Sequence, residues 1–155
     1  MPEEITVYKL GRSLAGHPYG DGCSSLMLLP GQATFTIYWK DKPVTPPFPA
    51  FAFESLSSVF RFRPYSEWGF DYVLWEAKAI PITGRSPLTV PKYYASECFT
   101  RFWQAWLTHD SIDTAMPLQS MPFGTVLCER IILLRRFYPD EIKKAEAVYR
   151  TRGAF

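Results

Sequence analysis

The chain has 155 residues and a formal net charge of +2, with 47% hydrophobic and 21% charged residues. This length fits one globular domain, so residues 1–155 are predicted to form a single unit, and the composition excludes a disordered or fibrous chain. The small net charge alone gives no reason to expect a polyanionic partner. Aromatic residues make up 17% of the chain against 2 His and 3 Cys, which favours cores and interfaces over catalytic or metal sites.

The cysteines and the chain start predict the compartment. Cys23, Cys98 and Cys128 form no CxxC pair, and an odd number of cysteines argues against a closed disulfide framework. Residues 1–4 lack the basic and long apolar regions of a signal peptide. No apolar run approaches the roughly 18 residues of a membrane span. The sequence therefore predicts a soluble, cytoplasmic protein with no membrane partner.

The first part of the chain has the alternation of β-strands. Residues 5–10 alternate in a way that suits a strand, and the glycine-rich residues 11–22 are predicted to form a loop. Residues 25–29 and 33–39 are two apolar runs on either side of Pro30-Gly31, a dipeptide that favours a turn. These runs predict a β-hairpin.

A second hairpin is predicted further along. Residues 56–63 place Phe60 and Phe62 on one side of a strand and Arg61 and Arg63 on the other. Residues 70–82 place alternate apolar residues on one face, and the two runs are joined by a turn. The members of that face are Val73, Trp75, Ala77 and Ala79.

After Gly84, the spacing of apolar residues changes from the two-residue period of strands to the period of helices. Pro91 suits a first helical position, and residues 92–108 carry a wide apolar stripe. Residues 124–138 are predicted to form a second helix, and Asp140 suits the first turn of a third. The residues of the first helix expected to pack on the sheet are Tyr94, Phe102 and Trp106.

The order of these elements predicts an α+β fold. Strands dominate the first half of the chain and helices the second, which favours an antiparallel sheet covered on one face by helices. We expect about five strands in two hairpins and two or three C-terminal helices, within the usual range for a domain of this size.

A glycine-rich loop holds the candidate catalytic residues. His17, Asp21 and Cys23 lie close together in sequence, as a nucleophile and its base would, but no nucleophile-elbow or phosphate-loop pattern surrounds them. A surface loop explains the same glycines. His109 is a weaker catalytic candidate, since a cation near the end of a helix also has a structural role.

No metal or cofactor is predicted. The His and Cys residues show no recognised zinc-ligand spacing, and Cys98 and Cys128 lie among apolar residues, as small buried hydrophobic residues do.

Two groups of residues are candidate contacts. Arg61, Arg63, Tyr65 and Trp68 combine cations with rings, a mixture that could meet phosphates and stack on bases, although no RRM, KH or helix-turn-helix signature accompanies it. The second group lies in the basic C-terminal segment, which has an excess of Lys and Arg over acids. Its members are Arg135, Arg136, Lys143 and Lys144.

These patterns favour a non-catalytic binding module, an accessory protein or subunit of a larger assembly, with a protein partner. The first alternative is a nucleic-acid-binding protein that uses the basic C-terminal helices and the face with arginines and rings. The second is a small enzyme built on His17, Asp21 and Cys23. A pocket that joins the glycine-rich loop to the end of the first helix would favour the enzyme, and an open, flat apolar-aromatic patch would favour the binding module.

Overall fold

The computed structural model describes residues 3–13, 21–28, 35–45, 50–68, 72–82, 89–91, 118–120 and 122–152. Its strands are β1 (Ile5–Arg12), β2 (Gly22–Leu28), β3 (Phe35–Trp39), β4 (Ala50–Phe53), β5 (Tyr72–Pro81), β6 (Thr89–Pro91), β7 (Leu118–Ser120) and β8 (Thr125–Phe137). Its helices are α1 (Leu56–Phe62), a 3-10 helix (Tyr65–Glu67) and α2 (Pro139–Thr151). A sheet followed by a C-terminal helix confirms the α+β class.

The main sheet is antiparallel and closes on itself. Its 6 strands follow the order β3-β2-β1-β4-β8-β5, and β1 also pairs with β5. The β1–β5 pairing runs from Ile5 opposite Ala79 to Arg12 opposite Tyr72. Further along the ring, Lys40 and Val44 bridge the segment after β3 to β8. The closed sheet therefore has an inner face and an outer face, while β6 and β7 form a separate pair.

The inner face is buried within the closed sheet. Because side chains alternate along a strand, every second residue of β1 and β5 points inward. We call this cluster the inner core, and small side chains are frequent in it. Its members are Val7, Cys23, Tyr38, Ala50, Ala52, Val73, Trp75, Ala77, Ala79, Cys128, Ile131 and Leu133.

The outer face of the sheet is covered by α1, the 3-10 helix and α2. Large rings dominate this second cluster, which we call the outer core. Phe60 stacks on Trp68 with ring centroids 6.2 Å apart, and Tyr65 meets Trp68 edge-on at 5.0 Å. The buried members are Leu10, Phe53, Val59, Phe60, Trp68, Leu74, Phe137, Ile142 and Tyr149.

Several predicted elements are confirmed. The strands predicted at 5–10 and 70–82 correspond to β1 and β5, and α2 is the third predicted helix. β2 pairs antiparallel with β3, as the first hairpin requires. Pro30-Gly31 lies outside the described residues. β1 runs through Arg12 and so includes the start of the predicted loop.

The strand predicted at residues 56–63 is wrong, because this segment is α1. Ser55 caps the helix, since its Oγ accepts a hydrogen bond from the backbone N–H of Ser58 at 3.2 Å. Val59 and Phe60 are buried, so adjacent residues share one face, as a helix allows and an alternating strand does not. The second hairpin is therefore not formed.

The helix predicted at residues 124–138 is also wrong, because Thr125–Phe137 is the long strand β8. Its register against β5 shifts between Glu76 and Ala77 and between Ile80 and Pro81. Each shift breaks the alternation of side chains, so the apolar spacing along β8 imitates that of a helix. β8 also contributes to both cores, with Ile131 and Leu133 in the inner core and Phe137 in the outer core.

The first predicted helix lies mostly outside the described residues, and so do Tyr94, Phe102 and Trp106. Pro91 ends β6 and pairs with Leu118, so its predicted place at the start of a helix is wrong. In the described part of the chain, neither α1 nor α2 has the length and apolar character needed to cross a membrane.

Candidate functional site

The arginines predicted to lie on a sheet face lie on or beside α1. Arg61 is exposed, and its guanidinium lies over the ring of Phe123, 4.4 Å from the centroid. Arg63 follows the last residue of α1 and lies 5.3 Å from the ring centroid of Tyr72. Phe123 is itself 62% exposed. Arg61 and Phe123 therefore form an exposed cation–π pair.

The two aromatic residues predicted beside these arginines belong to the outer core. Trp68 is only 2% exposed, and its Nε1 donates a hydrogen bond to the backbone oxygen of Arg63 at 2.9 Å. Tyr65 is partly buried, and its backbone N–H donates to the carboxylate of Glu146 on α2 at 2.9 Å. Trp68 is thus a core residue in this structure, with no surface to offer a partner.

The basic residues predicted near the C-terminus lie on different faces. Arg135 and Arg136 are adjacent in β8 and so point to opposite sides of the sheet. Arg135 pairs with Glu141, and this hydrogen bond holds the pKa of Glu141 below its usual value. Arg136 lies opposite Trp75, on the inner face. Lys143 and Lys144 are exposed on α2.

The described residues of the glycine-rich loop do not form a reactive pair. Asp21 is exposed, whereas Cys23 is fully buried in the inner core. Burial raises the pKa of the Cys23 thiol to about 11, so the thiol is protonated near neutral pH and is a poor nucleophile. His17 and His109 lie outside the described residues. Within the part of the chain that the structure describes, no cluster of His, Cys, Asp and Glu could hold a metal ion.

The most unusual residue of the inner face is Lys9, which is not among the candidate residues predicted from the sequence. Its side chain is inward, and the residue is only 3% exposed. The amine Nζ donates a hydrogen bond to the backbone oxygen of Phe51 at 2.7 Å and lies 5.2 Å from the ring centroid of Tyr38. Lysine is almost never fully buried unless it is paired with an acid.

The electrostatic surroundings of Lys9 disfavour its charge. Desolvation lowers the pKa of Lys9, an effect opposed in part by the nearby thiols of Cys23 and Cys128. The buried polar or charged residues of the described chain are Lys9 and Ser58, so no buried carboxylate there neutralises the amine. Lys9 therefore lies in an environment that provides a hydrogen-bond acceptor but, within the described part of the chain, no buried counter-ion.

Lys9 is one end of a row of nitrogen donors on the inner face. In the sheet, Lys9 of β1 lies opposite Trp75 of β5, and Trp75 lies opposite Arg136 of β8. Trp75 is only 1% exposed, and its Nε1 has no hydrogen-bond partner among the described residues. We call Lys9, Trp75 and Arg136 the donor row.

One signal in the sequence could have identified this row. Along β1, Ile5, Val7 and Lys9 have the same phase, so a single charged residue occupies an otherwise apolar face. Such a residue is worth marking wherever the neighbouring positions predict burial.

A second missed feature is the pair of exposed apolar residues on β3. Ile37 is 48% and Trp39 44% exposed, while Tyr38 between them is buried. The indole of Trp39 lies against Gly22, where an added Cβ would be 2.9 Å from Trp39 Cε3. We call Ile37 and Trp39 the β3 patch. Their shared face is predictable from alternation, but its exposure to solvent is not.

Comparison with protein-family models, with curated proteins and with solved structures finds no match to this chain.

Proposed function

We propose that the protein is a non-catalytic binding module, an accessory protein or subunit that docks a protein partner through the β3 patch. The observation that carries this proposal is the exposure of Ile37 and Trp39, at 48% and 44%, on one face of one strand. Adjacent exposed apolar side chains are characteristic of contact surfaces, whereas isolated ones are ordinary.

The surroundings of the patch support a protein partner. Because Trp39 rests on Gly22, its ring is already positioned and loses little conformational freedom when a partner covers it. Exposed charges of both signs follow at Lys40, Asp41 and Lys42. A central aromatic anchor with a polar rim is the usual anatomy of a protein interface.

The predicted basic contacts are a second, separate part of the proposal. Arg61 on Phe123, together with Lys143 and Lys144, presents exposed cations. These residues suit either an acidic protein or the phosphates of a nucleic acid. The β3 patch has no comparable excess of positive charge, so we favour the protein partner.

Affinity capture with matched variants tests the proposal. The double variant Ile37→Ser and Trp39→Ser removes the patch, and Val148→Ser, which alters an exposed apolar residue of α2, is the control. Captures from the native lysate are compared by quantitative mass spectrometry, with and without nuclease. We expect at least one protein that wild type and control retain after nuclease and that the double variant loses.

Two results would overturn the proposal. Identical protein sets from all three folded variants would show that the β3 patch is not a contact surface. Loss of every specific protein after nuclease would mean that nucleic acid mediates the interaction, and charge reversal at Lys143 and Lys144 would then be the relevant variant.

A further inference from the structure

We infer that the donor row of Lys9, Trp75 and Arg136 is a binding site for a small oxyanion, a carboxylate or a phosphate, on the inner face of the closed sheet. This site is distinct from the β3 patch and goes beyond the proposed docking of a protein. Its residues lie on three neighbouring strands, β1, β5 and β8.

The register of the sheet places the three donors side by side. Residues directly opposite each other in an antiparallel pair have Cβ atoms about 4.5–5.5 Å apart and point to the same face. Lys9 and Trp75 are opposite in one pairing, and Trp75 and Arg136 in the next. One ligand with several acceptor oxygens can therefore reach donors from neighbouring strands.

The chemistry of the row matches an anion. An indole N–H can only donate, and an ammonium and a guanidinium are likewise donors without acceptor capacity. The Nε1 of Trp75 is buried with no partner among the described residues, although nearly all buried donors in proteins are satisfied. An oxyanion would satisfy this donor and provide Lys9 with a counter-ion, which the described residues do not supply.

The bonds that Lys9 already makes leave it able to bind a ligand. Its amine donates to Phe51 O at 2.7 Å, and a charged ammonium has further protons to donate. The side chain of Arg136 is half-buried and lies 5.5 Å from the ring centroid of the exposed Tyr138. Arg136 therefore marks the end of the row nearest to solvent.

Binding should depend on pH through Lys9. In the described segments, the other titratable or charged groups on the inner side are Cys23 of β2, Tyr38 of β3, and Cys128 and Arg136 of β8. Desolvation lowers the pKa of Lys9, and a bound anion, which favours the ammonium form, would raise that pKa again. Affinity should therefore fall as pH rises above the pKa of Lys9 in the free protein.

Ligand titrations on the intact chain test the site. Sodium acetate and sodium phosphate are each compared with sodium chloride at equal ionic strength, by the thermal unfolding midpoint and by the NMR signals of the Lys9 side chain. We expect one of the two oxyanions to raise the midpoint saturably and to shift the Lys9 signals. Whichever does so identifies the ligand as a carboxylate or a phosphate.

Four variants separate the site from general effects. Lys9→Met and Trp75→Phe each remove a donor, and each should weaken the binding of that anion by about tenfold or more, as expected for a hydrogen bond to a charged group. Lys78→Met and Val148→Ala alter exposed residues outside the donor row and the β3 patch, and both should leave anion binding unchanged. If neither anion acts saturably, or if folded Lys9→Met responds like wild type, the inference is wrong.

Discussion

The two faces of the closed sheet are buried in different ways. The outer core consists mainly of rings and large aliphatic side chains, among them Phe60 and Trp68. The indole N–H of Trp68 donates a hydrogen bond to the backbone oxygen of Arg63. The inner core contains alanines, two thiols and an indole whose N–H lacks a partner among the described residues. It also surrounds Lys9, which is 3% exposed.

We therefore assign the two faces different roles, with stability at the outer face and ligand binding at the inner face. The outer face meets helices whose large side chains can pack closely. As far as the described residues go, the inner face retains a lysine without a buried counter-ion and an indole N–H without a hydrogen-bond partner, both of which cost stability. Features that break local rules without a structural gain are concentrated at functional sites. The inner face is therefore where we place ligand chemistry.

The largest expected effect is in the outer core. Trp68→Ala removes a ring that is 2% exposed, and we expect it to lower the free energy of unfolding by about 3–5 kcal/mol. Trp39→Ala, at an exposed ring, should cost less than about 1 kcal/mol. Urea unfolding monitored by circular dichroism measures both. Equal losses would show that Trp68 does not anchor a separate core.

The next largest loss of stability is expected at the turn before β8, which lies in close contact with α1. Gly124 has a φ of +77°, and an added Cβ would overlap Ser58 of α1. We expect Gly124→Ala to cost about 2–4 kcal/mol, from backbone strain and overpacking together. Combining it with Ser58→Gly should recover the overpacking part, as a double-mutant cycle would show. Purely additive losses would contradict the contact between this turn and α1.

The inner core should respond in the opposite direction. Lys9→Met replaces a buried amine with an apolar side chain of similar shape, and we expect a gain of about 1 kcal/mol or more near neutral pH. Lys78→Met, at an exposed lysine of β5, is the matched control and should change little. A loss of stability in Lys9→Met would mean that the hydrogen bond to Phe51 outweighs the cost of burial.

The gain in Lys9→Met should also depend on pH. The pKa of Lys9 is lowered by folding from 10.5, so between the two values the unfolded chain binds more protons and wild-type stability rises with pH. The cost of burying the charged amine is fully present below the pKa of Lys9 in the folded protein. This cost disappears as the pH approaches the pKa of Lys9 in the unfolded chain. The advantage of Lys9→Met over wild type should therefore shrink as the solution becomes more alkaline. A constant difference would contradict the buried charge.

The smallest effect is expected on the solvent side of β8. Arg135 and Glu141 form an exposed ion pair, and Arg135→Ala should cost only about 0–1 kcal/mol. The hydrogen bond with Arg135 holds the pKa of Glu141 below its usual value. The ion pair therefore stabilises the fold above the pKa that Glu141 has in the unfolded chain, and this stabilisation is lost as pH falls through the pKa of Glu141 in the folded protein. Unfolding at several acidic pH values measures this. If Arg135→Ala lowered the free energy of unfolding as much as Trp68→Ala does, the ion pair could not be treated as a weak surface contact.

The alternation of apolar and polar residues predicts those strands that keep a regular two-residue period. β1, β3 and β5 alternate regularly, and α2 has the spacing of Ile142, Ala145 and Tyr149 that packs on the outer core. β8 defeats the same reasoning, because its two register shifts against β5 disturb the two-residue period. α1 is short, and the cap at Ser55 identifies it better than its apolar pattern does.

The candidate sites were harder to predict than the fold, for a physical reason. Trp68 and Arg61 have residue types common in contacts, but only the tertiary structure shows that Trp68 is buried and that Arg61 is exposed. The donor row depends on the order of strands β1, β5 and β8, which are far apart in sequence. A single-sequence pattern can mark Lys9 as unusual, but it cannot place Arg136 on the same face.

The most direct test of the difference between the two faces is an NMR titration of the lysine side chains. Carbon-13 shifts of each lysine Cε are followed against pH in wild type and in Lys9→Met, which identifies the Lys9 signal by its absence. We predict that Lys9 loses its proton at a pH clearly below the ordinary lysine value of 10.5. A Lys9 signal that titrates at or above that value would contradict a buried amine on the inner face.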